Sequence, residues 1–166
     1  MFIISCDSSI EPQNPGGVLS WAFIVRIMGK GEVCRYAKIA RHGHPDNTNN
    51  QGEYLAVIAA LLWLLDLPEE NQQTVIIQSD SQLIVNHCSG KWECREPELK
   101  KLHALVMQAV HRYGKSVTFK WIPREKNDEA DELSRSVYST PAIQQEMKDI
   151  REASFKKDFG DDDISW

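Results

Sequence analysis

The sequence predicts an α/β fold, a five-stranded mixed sheet flanked by helices. Three observations carry that expectation. Three β-rich segments follow one another near the start, joined by short turns containing Gly and Pro. A wholly apolar run, Val75-Ile76-Ile77, has the character of a central strand covered on both faces. The order β-β-β-α-β-α-α-β-α then sets helices against a sheet.

Phe2 to Ser8 reads as the first strand, short, β-rich and ending in polar residues. Glu11 to Gly17 reads as a turn, because Pro12, Pro15, Gly16 and Gly17 fix or free φ in close succession. Leu19 to Met28, rich in Trp, Phe, Ile and Val, is the second strand. Gly29-Lys-Gly31 connects it to a third, Glu32 to Ala40, and the three suggest an antiparallel meander. After a loop, Asn50 to Asp66 reads as a helix buried on most sides and stopped by Pro68. Thr74 to Ser79 is the central strand. Ser81 to Cys88 and Pro97 to Tyr113 read as helices, the second with Leu99, Leu102, Leu105, Val106 and Ala109 on one face and Gly114 as its stop. Val117 to Ile122 is the fifth strand and Asn127 to Val137 a helix. Pro141 to Ala153 forms one more.

With 166 residues, 42% of them hydrophobic and 26% charged, the chain can bury one core but is too short for two ordinary domains. Its composition excludes collagen-like, disulfide-scaffold and disordered classes. The longest apolar run, Leu55 to Leu65, is about half of what a membrane span needs. The N-terminal residues lack a basic n-region, and no C-x-x-C spacing joins Cys6, Cys34, Cys88 and Cys94. A cytoplasmic protein with reduced thiols and no membrane partner is the expectation.

Four acids stand where an acid is awkward. Asp7 interrupts an apolar strand, Glu53 lies in the first turn of the most hydrophobic helix, Asp80 follows Val-Ile-Ile, and Asp131 opens a late helix. Convergence at one sheet edge would make them repel one another and raise their pKa values. Divalent cations remove that penalty, and all-oxygen donors favour Mg²⁺ or Mn²⁺ over zinc. Three of the four also have plain structural readings. Asn50-x-x-Glu53 fits a capping box, Asp80 an N-cap, and Asp131 a favourable charge near a helix N-terminus. A mid-strand Asp7 has no routine structural use.

The residues around these acids resemble type 1 ribonuclease H. Four blocks carry the resemblance, which covers roughly residues 1–137: Ile4-Ser-Cys-Asp7-Ser-Ser9 with Asn14-Pro-Gly-Gly17; Thr48-Asn-Asn-Gln-Gly-Glu53-Tyr-Leu-Ala; Ser79-Asp80-Ser-Gln82; and Trp121-Ile-Pro-Arg-Glu-Lys-Asn127-Asp-Glu-Ala-Asp131-Glu-Leu. It implies a ribonuclease H-like fold and cleavage of the RNA strand of an RNA–DNA hybrid, leaving 5′-phosphate and 3′-hydroxyl ends. It also implies that Asp7 bridges two Mg²⁺ ions, that Asp131 joins it on the water-activating metal, and that Glu53 and Asp80 hold the other. Asn14, Gly16, Gly17, Glu53 and Gln82 would read the ribose 2′-hydroxyl, and Asn50 the DNA strand. Lys91, Trp92, Lys120 and Arg124 are further candidate contacts.

Two family features are absent. Pro123-Arg-Glu-Lys126 offers no mobile-loop histidine, and only Glu93-Cys-Arg-Glu96 separates Trp92 from Pro97, where some members carry a basic protrusion. His87, His103 and His111 read as surface or satisfied core positions on helices.

Net charge is −5, but residues 158–166 hold four aspartates and no base, leaving nineteen bases against twenty acids, −1, elsewhere. With four of those acids on cations, nineteen bases face sixteen acids, +3, so the grip on phosphate is modest and salt-sensitive. The end of the sequence, Asp161, Asp162, Asp163, Ile164, Ser165 and Trp166, resembles the acidic tip of bacterial single-stranded-DNA-binding proteins, with Ser-Trp for Pro-Phe. That implies docking to a replication or repair protein; a plain acidic solubility tail is the alternative. The expected organisation is a catalytic domain at 1–137, a helical extension at 138–157 and an acidic, disordered tail at 158–166. The competing functional expectation is a catalytically weak hybrid-binding or replisome-docking adaptor on the same fold.

Overall fold

The structure, a computed structural model, describes residues 1–159. β1 (Phe2–Glu11), β2 (Val18–Ile27) and β3 (Gly31–Arg41) form the meander, followed by α1 (Asn49–Asp66), β4 (Val75–Ser79), α2 (Gln82–Cys88) and α3 (Pro97–Tyr113). β5 (Val117–Trp121), α4 (Asp128–Ser136) and α5 (Pro141–Phe159) complete the order. Five strands make one sheet in the order β3-β2-β1-β4-β5. β1–β2 and β2–β3 are antiparallel, while β1–β4 and β4–β5 are parallel. This is the mixed sheet that the sequence predicts.

Strand alternation divides the molecule. Phe2, Ile4 and Cys6 of β1 join Phe23, Val25, Val75 and Ile77 in the main core, with Tyr54, Val57, Leu61 and Leu64 of α1 and Leu99 and Val106 of α3. The alternate residues of β1 lie on the opposite face, where Ser9 Oγ pairs with Ser134 Oγ of α4 at 2.6 Å. Arg26 of β2 ion-pairs with Glu129 of α4, and Ser20 Oγ donates to the Ser134 carbonyl at 2.7 Å. A smaller cluster of Val18, Tyr138 and Ile143, with Met147 and Ile150 against it, holds α5 to the same body.

Several element boundaries differ from the sequence expectation. β1 runs to Glu11, pairing with Val18, so the turn is confined to residues 12–17. α5 runs to Phe159 rather than Ala153. Thr48, in an extended conformation, caps α1 through a box with Gln51, which displaces the Asn50–Glu53 box and leaves Glu53 without a capping role. Ser81, not Asp80, caps α2, because its hydroxyl accepts from the Ile84 amide. Two of the plain readings of the acids are thereby removed. No described helix is long and apolar enough to cross a membrane. The tail residues Asp161, Asp162, Asp163, Ile164 and Trp166 lie outside the described residues.

Candidate active site

Parallel pairing of β1 and β4 brings the C-terminal halves of both strands to one edge of the sheet. Asp7 lies on β1 and Asp80 directly follows β4. Glu53 approaches from the second turn of α1. It can do so because Gly52 rests on the sheet: a Cβ at Gly52 would stand 2.8 Å from Ser8 Cβ. The result is a convergence of three carboxylates, one oxygen each from Asp7, Glu53 and Asp80 lying within 4.8 Å of one another. Asp131, on α4, lines the same open cleft of about 430 Å³.

Burial dominates the electrostatics. Asp7 is 5% and Glu53 4% exposed. Desolvation, with the neighbouring Asp80 charge, pushes the Asp7 carboxyl up to about 7, although the Ser8 amide donates to its Oδ1 at 2.8 Å. Glu53 is pushed well above the usual carboxylate range by burial and then by Asp7. Its Oε1 accepts from Ser8 Oγ at 2.9 Å, while its buried Oε2 has no hydrogen-bond partner. Asp80 is raised by burial, against the opposing pull of its own backbone amide, Arg124 and Asn127. Asp131 is held by Arg135 at 3.1 Å and stands apart from the tight group of three.

An orphaned carboxylate oxygen beside two further carboxylates is an arrangement that a divalent cation satisfies. The donor set is entirely oxygen, which suits hard divalent ions. The residues present fit such a group.

The other expected contacts divide. Asn14, Asn50 and Arg124 line the cleft, and Asn14 Oδ1 accepts from the Asn49 amide at 3.2 Å. Gln82 and Trp92 are exposed and do not line it; Gln82 opens α2, and Trp92 sits in the α2–α3 loop beside a separate cavity. Gly17 has an intramolecular reason to be glycine, since a Cβ there would meet the Glu11 and Gln13 carbonyl oxygens at 2.5 and 2.6 Å. Gly16 adopts φ +101°, a conformation side chains rarely take.

Some residues escape a reading of the sequence. Ser8 bridges Asp7 and Glu53, and Asn49 contacts Ser8 and Glu53. Asn127, almost fully buried, donates to the Cys6 carbonyl at 3.0 Å and ties α4 to the centre of β1. Trp121 Nε1 donates to the Asp80 carbonyl at 3.1 Å. In the sequence Ser8 is marked by its place beside Asp7, and Asn127 by its place in the block that holds Asp131.

A β3-β2-β1-β4-β5 sheet carrying clustered carboxylates at the ends of its central parallel strands defines a ribonuclease H-like protein. The profile of the reverse transcriptase-like family matches residues 14–137, and the chain belongs to that family. Ribonuclease HI of Halobacterium salinarum is 32% identical over 125 residues, which cover 73% of this chain and 56% of that protein. The bifunctional protein Rv2228c of Mycobacterium tuberculosis is 32% identical over 95 residues, 57% of this chain and 25% of its own length. The chain thus spans a quarter of that mycobacterial relative and about half of the archaeal one. Among solved structures, LC11-RNase H1 in complex with an RNA/DNA hybrid superposes with a TM-score of 0.73 at 27% identity, covering 82% of this chain and 96% of that one.

Proposed function

We propose that this chain is an endoribonuclease that hydrolyses the RNA strand of RNA–DNA hybrids with two divalent cations, leaving 5′-phosphate and 3′-hydroxyl ends. The observation that carries the reading is the approach of Asp7, Glu53 and Asp80 to within 4.8 Å, with Asp131 in the same cleft. LC11-RNase H1, solved in complex with an RNA/DNA hybrid, and the archaeal ribonuclease HI support the substrate and the reaction class.

Asp7, Glu53, Asp80 and Asp131 would hold the cations, Asp7 with Asp131 for the one that activates water and Glu53 with Asp80 for the other. Bound Mg²⁺ or Mn²⁺ would lower the pKa of the attacking water and stabilise the departing 3′-oxygen. The chain's own residues supply the rest. Ser8 fixes Asp7 through its amide and Glu53 through its hydroxyl, so both carboxylates are oriented by one residue. Arg135 pairs with Asp131 on the cleft lining, and Arg124 offers a cation near Asp80 for a substrate phosphate. Asn14 and Asn50 sit on the rim, placed to donate to sugar or phosphate oxygens of a strand lying across it. No protein nucleophile is required.

The test is cleavage of end-labelled hybrid with Mg²⁺ by wild type, Asp7→Asn and Asp80→Asn. Cleavage by wild type alone is expected, and cleavage surviving both substitutions overturns the assignment. Calorimetric titration of Mg²⁺ separates this reading from a hybrid-binding adaptor, which has no need of metal at the carboxylates.

A further inference from the structure

The α2–α3 loop carries a second convergence of ligand atoms, chemically unlike the first. One ring nitrogen of His87, Cys94 Sγ and a carboxylate oxygen of Glu96 lie within 4.8 Å of one another. The backbone assembles them. α2 ends at Cys88, Gly90 turns with φ +74°, and the amides of Lys91 and Trp92 both donate to the Asn86 carbonyl, at 2.9 and 3.1 Å. The chain therefore doubles back and returns Cys94 to His87, seven residues earlier.

Glu96 is the N-cap of α3, yet its side chain makes no capping hydrogen bond. Cys94 is buried and not in a disulfide, and its Sγ accepts from the Tyr54 hydroxyl at 3.9 Å. His87 is 4% exposed, and the Tyr54 hydroxyl occupies its Nδ1 at 2.8 Å. Burial favours the neutral ring that a metal requires. The site opens onto a cavity of about 500 Å³, whose wall includes His103 and Trp92.

We propose that His87, Cys94 and Glu96 bind one borderline-soft divalent transition-metal ion, of the Zn²⁺ or Co²⁺ class, and that the ion clips the α2–α3 loop to α2. A nitrogen, a thiolate and a carboxylate favour such ions over Mg²⁺, and three protein ligands leave a fourth tetrahedral position for water. On binding, the Cys94 thiol loses its proton to solvent and the sulfur-metal bond forms. The clip fixes the segment that presents Lys91 and Trp92. It is independent of the carboxylate cleft, which offers no sulfur.

The experiment is a Co²⁺ titration of the full chain at neutral pH with a non-chelating reductant, followed by thiolate-to-cobalt charge-transfer absorbance. One equivalent should develop the band, and Zn²⁺ should displace it. Cys94→Ser should abolish the band, whereas Cys88→Ser and Asp7→Asn should retain it. Glu96→Gln, at an exposed position that keeps the fold, should weaken Co²⁺ affinity at least about tenfold. No band in wild type, a band surviving in Cys94→Ser, or unchanged affinity in Glu96→Gln overturns the site. Because Asp7→Asn should silence hybrid cleavage and leave the band, the two sites fail or stand separately.

Discussion

Gly52 lies flush against Ser8: a Cβ on Gly52 would stand 2.8 Å from Ser8 Cβ, 2.9 Å from Ser8 Oγ and 2.8 Å from Leu19 Cδ1. α1 thus meets the sheet one residue before it delivers Glu53, and Ser8 is one residue after Asp7. The height of the helix above β1 sets the separation of two carboxylates.

Gly52→Ala tests that coupling. A helix-interior Ala is intrinsically better than Gly by about 1 kcal/mol, but overpacking costs about 1–3 kcal/mol. Net destabilisation of no more than about 2 kcal/mol is expected. Activity should fall much further, because the helix must lift and carry Glu53 away from its two partners; kcat at saturating Mg²⁺ should drop at least about tenfold, in keeping with the cost of small displacements of catalytic groups. Chemical denaturation and steady-state kinetics on one preparation give both numbers. Equal proportional losses, tracking the unfolded fraction, would show that Gly52 serves packing alone.

Without metal, the carboxylate cluster should make the protein sensitive to alkaline rather than acid conditions. Burial and Asp80 push Asp7 up to about 7, and Glu53 and Asp80 move in the same direction. The folded state then holds protons more tightly than the unfolded chain, whose Asp titrates near about 4. This contribution is fully present below the unfolded pKa and is lost as pH rises through the folded value. The Tm of EDTA-treated protein should therefore decline between pH 5 and pH 8, and saturating Mg²⁺ should recover the loss at pH 8. A metal-free Tm that rises steadily across this window contradicts the electrostatic account.

Removing one charge should separate stability from activity. In metal-free Asp7→Asn, Glu53 and Asp80 no longer face a third anion at close range. A gain of about 1 kcal/mol raises Tm by about 2–4 °C in a chain of this size. Metal-free Asp7→Asn should melt above metal-free wild type at pH 8 by at least that much, while hybrid cleavage disappears. Saturating Mg²⁺ should narrow or invert the difference, since it stabilises only the intact cradle. Differential scanning fluorimetry with and without Mg²⁺ reads all three outcomes.

The order of strands and the four acids were legible because both rest on local signals: β-rich runs between turn residues, and charges inside apolar segments. Cap identity was not. Thr48-x-x-Gln51 and Asn50-x-x-Glu53 are equivalent boxes on paper, and the extended backbone of Thr48 decides between them. Ser8 and Ser9 look like the polar end of a strand, yet β1 continues to Glu11. Their hydroxyls are buried against Glu53 and Ser134, partners 45 and 125 residues away that no local pattern names. The last turns of α5, beyond Ala153, are largely exposed, so periodicity carries little information there. His87 and Cys94 escape because a spacing of seven across a reversing loop matches no short metal motif.

Glu146 moors α5 to the β3–α1 loop. Its Oε1 accepts from the Gly43 amide at 2.8 Å and its Oε2 meets His42 Nδ1 at 2.7 Å. The loop is in close contact there, because a Cβ on Gly43 would stand 2.5 Å from Ile150 Cδ1. The Gly43 amide and His42 draw the Glu146 carboxyl below its ordinary range, against the opposing effect of burial. A depressed folded-state pKa means that this contribution is present above the unfolded value and is lost as pH falls through the folded one. Glu146→Ala should therefore cost about 1 kcal/mol at neutral pH, the scale of a partly exposed charge-assisted hydrogen bond. The difference from wild type should shrink below the unfolded pKa of about 4.3. Urea denaturation at two pH values measures it, and a penalty equal at both would assign Glu146 a packing role instead. Glu146 does not line the carboxylate cleft, so cleavage well below Tm should remain at the wild-type level.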